Sequence, residues 1–581
     1  MRIIVGFILF FYLNNIYSNN DSLVINPWSQ MSLLADSNNY NLFFGGPSSI
    51  YKSILYETDK LSILSDHPFY LFEQIDIPNL NLPVPVVDVQ YLLGAQLEQN
   101  LAIYHSQPIS KNSNYAVSYL NRSHNGYYKN QSTNSNYIQA HYFLNSKNDR
   151  YKIHGGLKNH RVFNMQNGGI SNDSNFTNAS DLFSSRLLMD VNMDHSYSND
   201  KSLNAFINQS FKLSPSLDTS NKLSNGSNLL NLSLNYLRKF RNYYDSLSSN
   251  HFLYNHFDSI FSNDTLSKNI WYSNLTFKRS FSGDSINRFF SLGLNSELIN
   301  HYNQSLDTLL NNHSVESDFI SNNNHTKFLL SAEYFPFGYK KNNFELNFNL
   351  SKKLSQKIVL NSDFRINEIR PAFELQNFVS NHQIWLNSFN NMTSYYGMGE
   401  LQIGSFSCKL NYSEINNPIY FNEISLPNQF EGSSQVIQTS FNYKLRSKKI
   451  GLTSEIIHQY QGGGQIFQLP ELIAQLKFNC SLTHKKSNLK LFLGINARYY
   501  SSFHLMNYSP TINQFTISKE KLQDQYFIAD FVAKTRIKRV TLYLMISHLN
   551  AGLMGYNYFT ALNYPSPDRY VKFGINWLFL N

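Results

Sequence analysis

The closing stretch of this 581-residue chain, Tyr570 to Asn581, alternates without a break. Val571, Phe573, Ile575, Trp577 and Phe579 fall on one face, and Lys572, Gly574, Asn576 and Leu578 on the other. Side chains of a strand point to opposite faces with period two, so the stretch reads as a strand. One face is wholly apolar and ends in aromatics. Such a face needs a cover, which is either a second sheet or lipid.

Composition favours lipid. Hydrophobic residues make up 42% and charged residues 15%, while aromatics reach 15% with 39 Tyr and 45 Phe. A soluble protein carries about a quarter charged residues, and a disordered chain lacks such an aromatic load. A membrane barrel, apolar outside and polar inside, accommodates both deviations. The formal charge of +9 is scattered without long basic runs, which argues against a nucleic-acid partner. The two cysteines, Cys408 and Cys480, offer neither a disulfide framework nor metal spacing and read as apolar fillers.

The N-terminus begins with a charged start and an apolar run from Ile3 to Leu13. That is the length of a signal-peptide core and too short to span a bilayer comfortably. Residues 1–18 are expected to be a cleaved export signal, with Ser18 before the cut. Residues 19–85 are irregular and contain Gly45-Gly46-Pro47, Pro78, Pro83 and Pro85. Proline lacks the donor a ladder needs, so this is a non-barrel extension, periplasmic or in the lumen.

From Val86 to the end the chain is a procession of alternating segments. Tyr115, Val117 and Tyr119 alternate with Ala116, Ser118 and Leu120; Phe344, Leu346, Phe348 and Leu350 alternate with Glu345, Asn347, Asn349 and Ser351. Turn signals such as Asn125-Gly126, Asn167-Gly168-Gly169 and Gly462-Gly463-Gly464 separate them. Some connections are tight, as at Ser355-Gln356; Ser214–Asn228 and His301–Asn324 read as long polar loops. The expected fold is an all-β, transmembrane antiparallel β-barrel over residues 86–581, of roughly 18 strands with 16–20 compatible. A barrel of that size encloses an aqueous channel.

No catalytic or metal motif is present. The 17 histidines include no His-Glu-x-x-His and no zinc spacing with cysteine. No nucleophile elbow or phosphate-cradling loop appears. The expectation is a non-enzyme without cofactor. Lys152, His154, Lys158, Glu345, Asn347 and Lys572 stand on polar faces and are expected to line the pore. Val571, Phe573, Ile575, Trp577 and Phe579 are expected to form the closing strand and assembly signal, pairing with Val86–Leu93.

Leu491–Tyr500, Tyr508-Ser509-Pro510, Ala533–Val540 and Tyr564–Arg569 before the terminal strand form one set of distinctive stretches. Leu97–Gly169, with Gly126–Gln131, and Ser380-Asn381-His382 with Trp385 are further patches. In these stretches the chain resembles the putative porin family of Bacteroidetes-type outer membranes. The resemblance implies an exported bacterial outer-membrane barrel whose partners are membrane lipid, the barrel-assembly machinery and small polar solutes. The expected function is a passive diffusion channel for small hydrophilic solutes; the alternative is a structural or binding barrel with a plugged lumen. An energy-coupled receptor is disfavoured at this point, because only about 65 residues precede the barrel and that design needs a large separate plug.

Overall fold

A computed structural model describes residues 41–43, 51–56, 69 and 84–580, apart from 179–184, 214–226, 247–255, 259, 283–285, 305 and 485–488. The expected export signal and most of residues 19–85 lie outside the described residues.

Among the described residues, twenty-two strands close into one barrel. The first eight are β1 Val86–Gly94, β2 Gln99–Ser110, β3 Ser113–His124, β4 Thr133–Asn145, β5 Tyr151–Gln166, β6 Ser196–Lys212, β7 Asn228–Asp245 and β8 Ser262–Ser282. The next seven are β9 Ile286–Asn303, β10 Leu306–Asn323, β11 Thr326–Gly338, β12 Phe344–Lys353, β13 Ile358–Ile369, β14 Met392–Ile403 and β15 Phe406–Asn416. The last seven are β16 Ser433–Arg446, β17 Ile450–Gly463, β18 Leu472–His484, β19 Leu489–Tyr500, β20 Tyr526–Ile537, β21 Val540–Ser547 and β22 Tyr570–Leu580. Each strand pairs antiparallel with its sequence neighbours, and β1 pairs with β22 in the register Val87↔Phe579, Val89↔Trp577 and Tyr91↔Ile575. Closure leaves no edge whose backbone groups would sit unpaired in hydrocarbon.

The sequence estimate of roughly 18 strands is therefore too low. Part of the shortfall lies at His301–Asn324, which is not a loop: β10 runs through it and pairs along its length with β9. Its outward positions include Asp307, Leu309, Asn311, His313, Val315 and Ser317. With polar residues on both faces, the period-two signal disappears although the backbone ladder is intact.

Elsewhere the alternation sorts inside from outside. Phe344, Leu346, Phe348 and Leu350 point outward, and Glu345, Asn347 and Asn349 inward. The outward rings of β10 to β13 form a ladder, Phe319–Phe328, Phe328–Phe348 and Phe348–Phe364, with centroids 5.9, 5.3 and 5.9 Å apart. Such cross-strand pairs each contribute a few tenths to about 1 kcal/mol.

The two barrel rims differ. At the rim that carries both Val86 and Leu580, β2–β3, β10–β11 and β14–β15 are joined by residues 111–112, 324–325 and 404–405. At the other rim the connections include 125–132, 167–195, 370–391, 417–432, 501–525 and 548–569. Short periplasmic turns and long outer loops are the pattern of outer-membrane barrels, so the long-loop rim faces outward. Ser214–Asn228 breaks the rule by lying at the turn rim, largely outside the described residues. At the loop rim Gly463 has φ +69°, and a Cβ there would lie 2.1 Å from the Ser433 carbonyl oxygen. The Gly462-Gly463-Gly464 apex needs glycine for that turn.

Candidate functional site

A barrel of this width would hold water unless something fills it. Here the long loops fold back inside. Their apolar side chains make two clusters within the lumen, one around Phe69, Phe378, Trp385, Phe421 and Ile512, the other around Ile54, Phe176, Tyr500, Tyr526 and Tyr558. Burying each large side chain contributes about 1.5–3 kcal/mol, which offsets the ordering of loops otherwise rich in Asn and Ser.

The insertion after β13 is pinned by charge. A short helix, Phe373–Gln376, carries Glu374. Its carboxylate lies 3.4 Å from Lys268 Nζ on β8 and 3.4 Å from His301 Nε2 on β9, with all three side chains buried. Burial opposes the Glu374 charge, but Lys268 and His301 overcome it and hold the carboxyl well below its ordinary range. The following hairpin stacks Phe378 on Trp385 at 4.5 Å, and the Trp385 indole N–H donates to the Glu374 carbonyl at 3.0 Å. At the hairpin tip, Asn381 donates its backbone N–H to Asp264 Oδ1 at 2.9 Å and its amide to Ser262 Oγ at 2.6 Å. His382 Nε2 lies 2.8 Å from the same hydroxyl.

Two more insertions meet the wall similarly. Arg241 on β7 pairs with Asp200 on β6 at 3.2 Å and donates from Nη2 to the Pro510 carbonyl at 2.8 Å. Arg186 pairs with Asp568 at 2.7 Å and lies over the rings of Phe176 and Tyr556 at 4.6 and 4.7 Å. His548 accepts from Tyr526 at 2.8 Å through Nε2, and donates from Nδ1 to the Pro567 carbonyl at 2.8 Å. Burial pushes the His548 imidazole below its ordinary value.

The described part of the N-terminal extension also lies against the inner wall. Tyr56 N–H donates to Gln459 Oε1 at 3.0 Å, and Gln459 Nε2 donates back to the Ile54 carbonyl at 3.0 Å. Tyr56 Oη lies 2.9 Å from Ser413 Oγ, and Gln438 Nε2 donates to the Tyr56 carbonyl at 3.2 Å. Burial raises the Tyr56 phenol to about 12, against the opposing Ser413 bond. Phe69 packs on Phe378, Trp385 and Phe421 at 5.2, 6.0 and 6.1 Å. Residues before the barrel thus share a core with its loops.

The residues singled out from sequence are distributed along the inner face. Lys152, His154 and Lys158 point inward on β5, with the His154 ring 5.6 Å from that of His141. Glu345 and Asn347 point inward on β12; Asn347 Nδ2 donates to Glu345 Oε1 at 2.6 Å. Glu316, Glu333 and Glu345 stand in register on three consecutive strands. Lys572 is buried and pairs with Glu98 at 3.0 Å. Val571, Phe573, Ile575, Trp577 and Phe579 face outward on β22. These residues do not converge on one spot. The groups that do meet are Glu374 with Lys268 and His301, and, separately, Arg241 with Asp200, and each lacks any local sequence signature. Among the described residues no group of His, Cys, Asp and Glu could hold a metal ion.

Several solved structures share this architecture. The FrpB iron transporter from Neisseria meningitidis aligns with a TM-score of 0.61 at 8% identity, over 85% of this chain and 82% of that one. The ferric-catecholate import receptor Fiu from Escherichia coli K12 gives 0.59 at 10% identity, over 85% and 82%. The siderophore receptor PirA from Acinetobacter baumannii gives 0.61 at 10% identity, over 85% and 80%. No curated protein sequence matches the chain. The expectation of a passive diffusion channel is corrected here. The similar barrels named above are import receptors and a transporter by title, and in this chain the loops carry two buried apolar clusters into the lumen. A barrel of this kind places the protein in the bacterial outer membrane. The model of the family described as a putative porin matches residues 13–581, and the chain belongs to that family.

Proposed function

We propose that the protein is an outer-membrane import receptor, which binds a bulky polar ligand at its loop rim and admits it only when the lumen filling moves. The observation that carries this reading is the packed outer lumen. Loops held by buried ion pairs and two apolar clusters bar free diffusion, so passage requires a rearrangement driven by differential binding. The shortness of the N-terminal extension no longer counts against such a receptor. Loops 370–391, 501–525 and 548–569 contribute filling that a separate plug would otherwise provide. The names of the similar structures suggest a ferric chelate as the ligand class. Inward cations Lys158 on β5 and Lys239 on β7 give that arc of the wall a sign that suits an anionic chelate.

Two measurements on the purified full-length protein test the reading. Titration with a ferric catecholate, followed by the fluorescence of buried Trp385, is expected to saturate, while the iron-free ligand binds more weakly. In planar bilayers the unliganded protein is expected to be electrically silent. Steady large conductance without ligand, or no response to any ferric chelate, would overturn it.

A further inference from the structure

The outer wall of the barrel carries a feature that import does not use. Between β3 and β9 the lipid-facing surface sinks into an apolar groove of about 850 Å³. Its low points are Ala140, Gly155 and Ala205, on three adjacent strands; Leu157 stands between Ala140 and Ala205 in the ladder, so the groove bends past it over Gly155, and Tyr236 and Trp271 rise beside Ala205. The Tyr236 and Trp271 rings are 4.4 Å apart. Lipid tails meet most of such a barrel as a smooth band; here they meet a recess.

Three cations stand above this groove, towards the loop rim. Arg161 is four residues above Leu157 on β5, Lys201 four above Ala205 on β6, and Arg238 two above Tyr236 on β7. All three are exposed and on the outward face. Arg161 lies directly opposite Lys201, and Arg238 is diagonal to it, since Lys201 faces Phe240. Like charges directly opposite one another on a sheet are destabilising. Among the described residues no carboxylate faces them: Arg161 Nε donates to Asn199 Oδ1 at 3.2 Å, Lys201 Nζ lies 5.5 Å from the Phe240 ring centre, and the other outward positions around them are Asn136, Asn159, Leu203 and Asn269. Just above them towards the loop rim, the outward rings of Phe163, Tyr197 and Tyr244 lie 5.2 and 5.0 Å apart; such aromatics mark the membrane interface, so the cations lie at the acyl–headgroup boundary of the outer leaflet.

We propose that this face is a binding site for a phosphorylated glycolipid of the outer leaflet, with its phosphates on Arg161, Lys201 and Arg238 and an acyl chain in the groove over Ala140, Gly155 and Ala205. Neither half suffices alone. A free phosphate would use the cations and leave the groove empty; an uncharged lipid would fill the groove and leave the cations unneutralised. Together they match one amphiphile in position, order and charge. A second copy of the chain would bring the same three cations to the interface and repel.

The test uses full-length protein, delipidated in neutral detergent, with bisphosphorylated lipid A as the probe and native mass spectrometry as the readout. Wild type is expected to hold one lipid A. The same glycolipid without phosphates is expected to bind far more weakly, a comparison that needs no variant. Cations near an anionic surface act at about fivefold in affinity apiece, so the R161Q/K201Q/R238Q variant should lose on the order of a hundredfold. Ala205→Leu, which raises the groove floor, should weaken binding while leaving the cations in place. Arg288→Gln with Lys352→Gln, outward cations near the turn rim, should leave it unchanged. Heat-modifiable migration on gels confirms that each variant is folded. Equal affinity for the phosphorylated and dephosphorylated lipid, saturation by inorganic phosphate alone, or a stable dimer that excludes the lipid would each overturn the proposal.

Discussion

Lys572 on the last strand meets Glu98, in the connection after the first strand, at 3.0 Å inside the barrel wall, and both side chains are buried. Asn100 Nδ2 donates to the same Glu98 oxygen at 3.0 Å. The pair therefore locks the seam where the chain closes on itself. Breaking a buried pair by removing one partner leaves an uncompensated charge and costs about 3–5 kcal/mol. Lys572→Met alone should lower the unfolding midpoint strongly in denaturant titrations of refolded protein. The double variant Lys572→Met with Glu98→Leu should recover most of the loss. Wild-type stability of Lys572→Met would mean that the seam does not depend on the pair.

The second prediction concerns closure. Deleting residues 571–581 would strip the partner from both β1 and β21, whose ladders with β22 run from Val86↔Leu580 and Val540↔Trp577. Each orphan backbone group in hydrocarbon costs several kcal/mol. The truncated chain should be absent from outer-membrane fractions and accumulate or be degraded before insertion, as read by immunoblot of separated membranes.

The third prediction separates the two faces of one strand. Leu346 points to lipid and Asn347 to the lumen. Leu346→Arg should cost about 2–4 kcal/mol if it lies near the bilayer midplane, whereas Asn347→Arg should cost far less. Equilibrium folding into vesicles, followed in urea, measures both.

The fourth prediction concerns the loop pinned by Glu374. Glu374→Ala leaves Lys268 and His301 without their shared carboxylate, so the insertion 370–391 should detach and the barrel should show conductance where wild type is silent. The same contact gives a pH dependence. Because the folded carboxyl is held below its ordinary value of 4.5, the stabilisation is complete above about pH 4.5 and is lost as pH falls through the folded value. In a variant retaining Trp385 as its sole tryptophan, acrylamide quenching should stay low at pH 6 and rise only below about pH 4.5.

The fifth prediction concerns His548. Its imidazole is held below the ordinary value of 6.5 by burial. Above about pH 6.5 the ring is neutral whether or not the loop is docked, so protonation costs nothing there. As pH falls below 6.5 the undocked form gains a proton first, and docking of 548–569 weakens until pH passes the folded value. Hydrogen exchange of that loop should be faster at pH 5 than at pH 7.5 after correction for intrinsic rates. His548→Gln should abolish the difference.

What the sequence by itself determined is the assignment of faces along its clearest strands. Period two in Val571–Phe579 and Phe344–Ser351 distinguishes lipid from lumen because a pleated strand leaves no other choice once one side is apolar. The same logic placed β1 against β22, since a barrel in lipid must close. It did not determine the strand number, because β10 mixes polar and apolar residues on its outward face and loses the alternation that the backbone ladder does not need. Nor did it decide whether the lumen is open or plugged, which it held only as an alternative, although Asn381, His382, Trp385 and Pro510, which carried the family resemblance, sit in the inserted loops. Which loops turn inward is settled by partners far apart in the chain. Lys268 meets Glu374 across 106 residues, Arg241 meets Pro510 across 269, and Gln459 meets Ile54 across 405. No local periodicity encodes such contacts; they exist only once the closed barrel brings opposite walls within reach of the same loop.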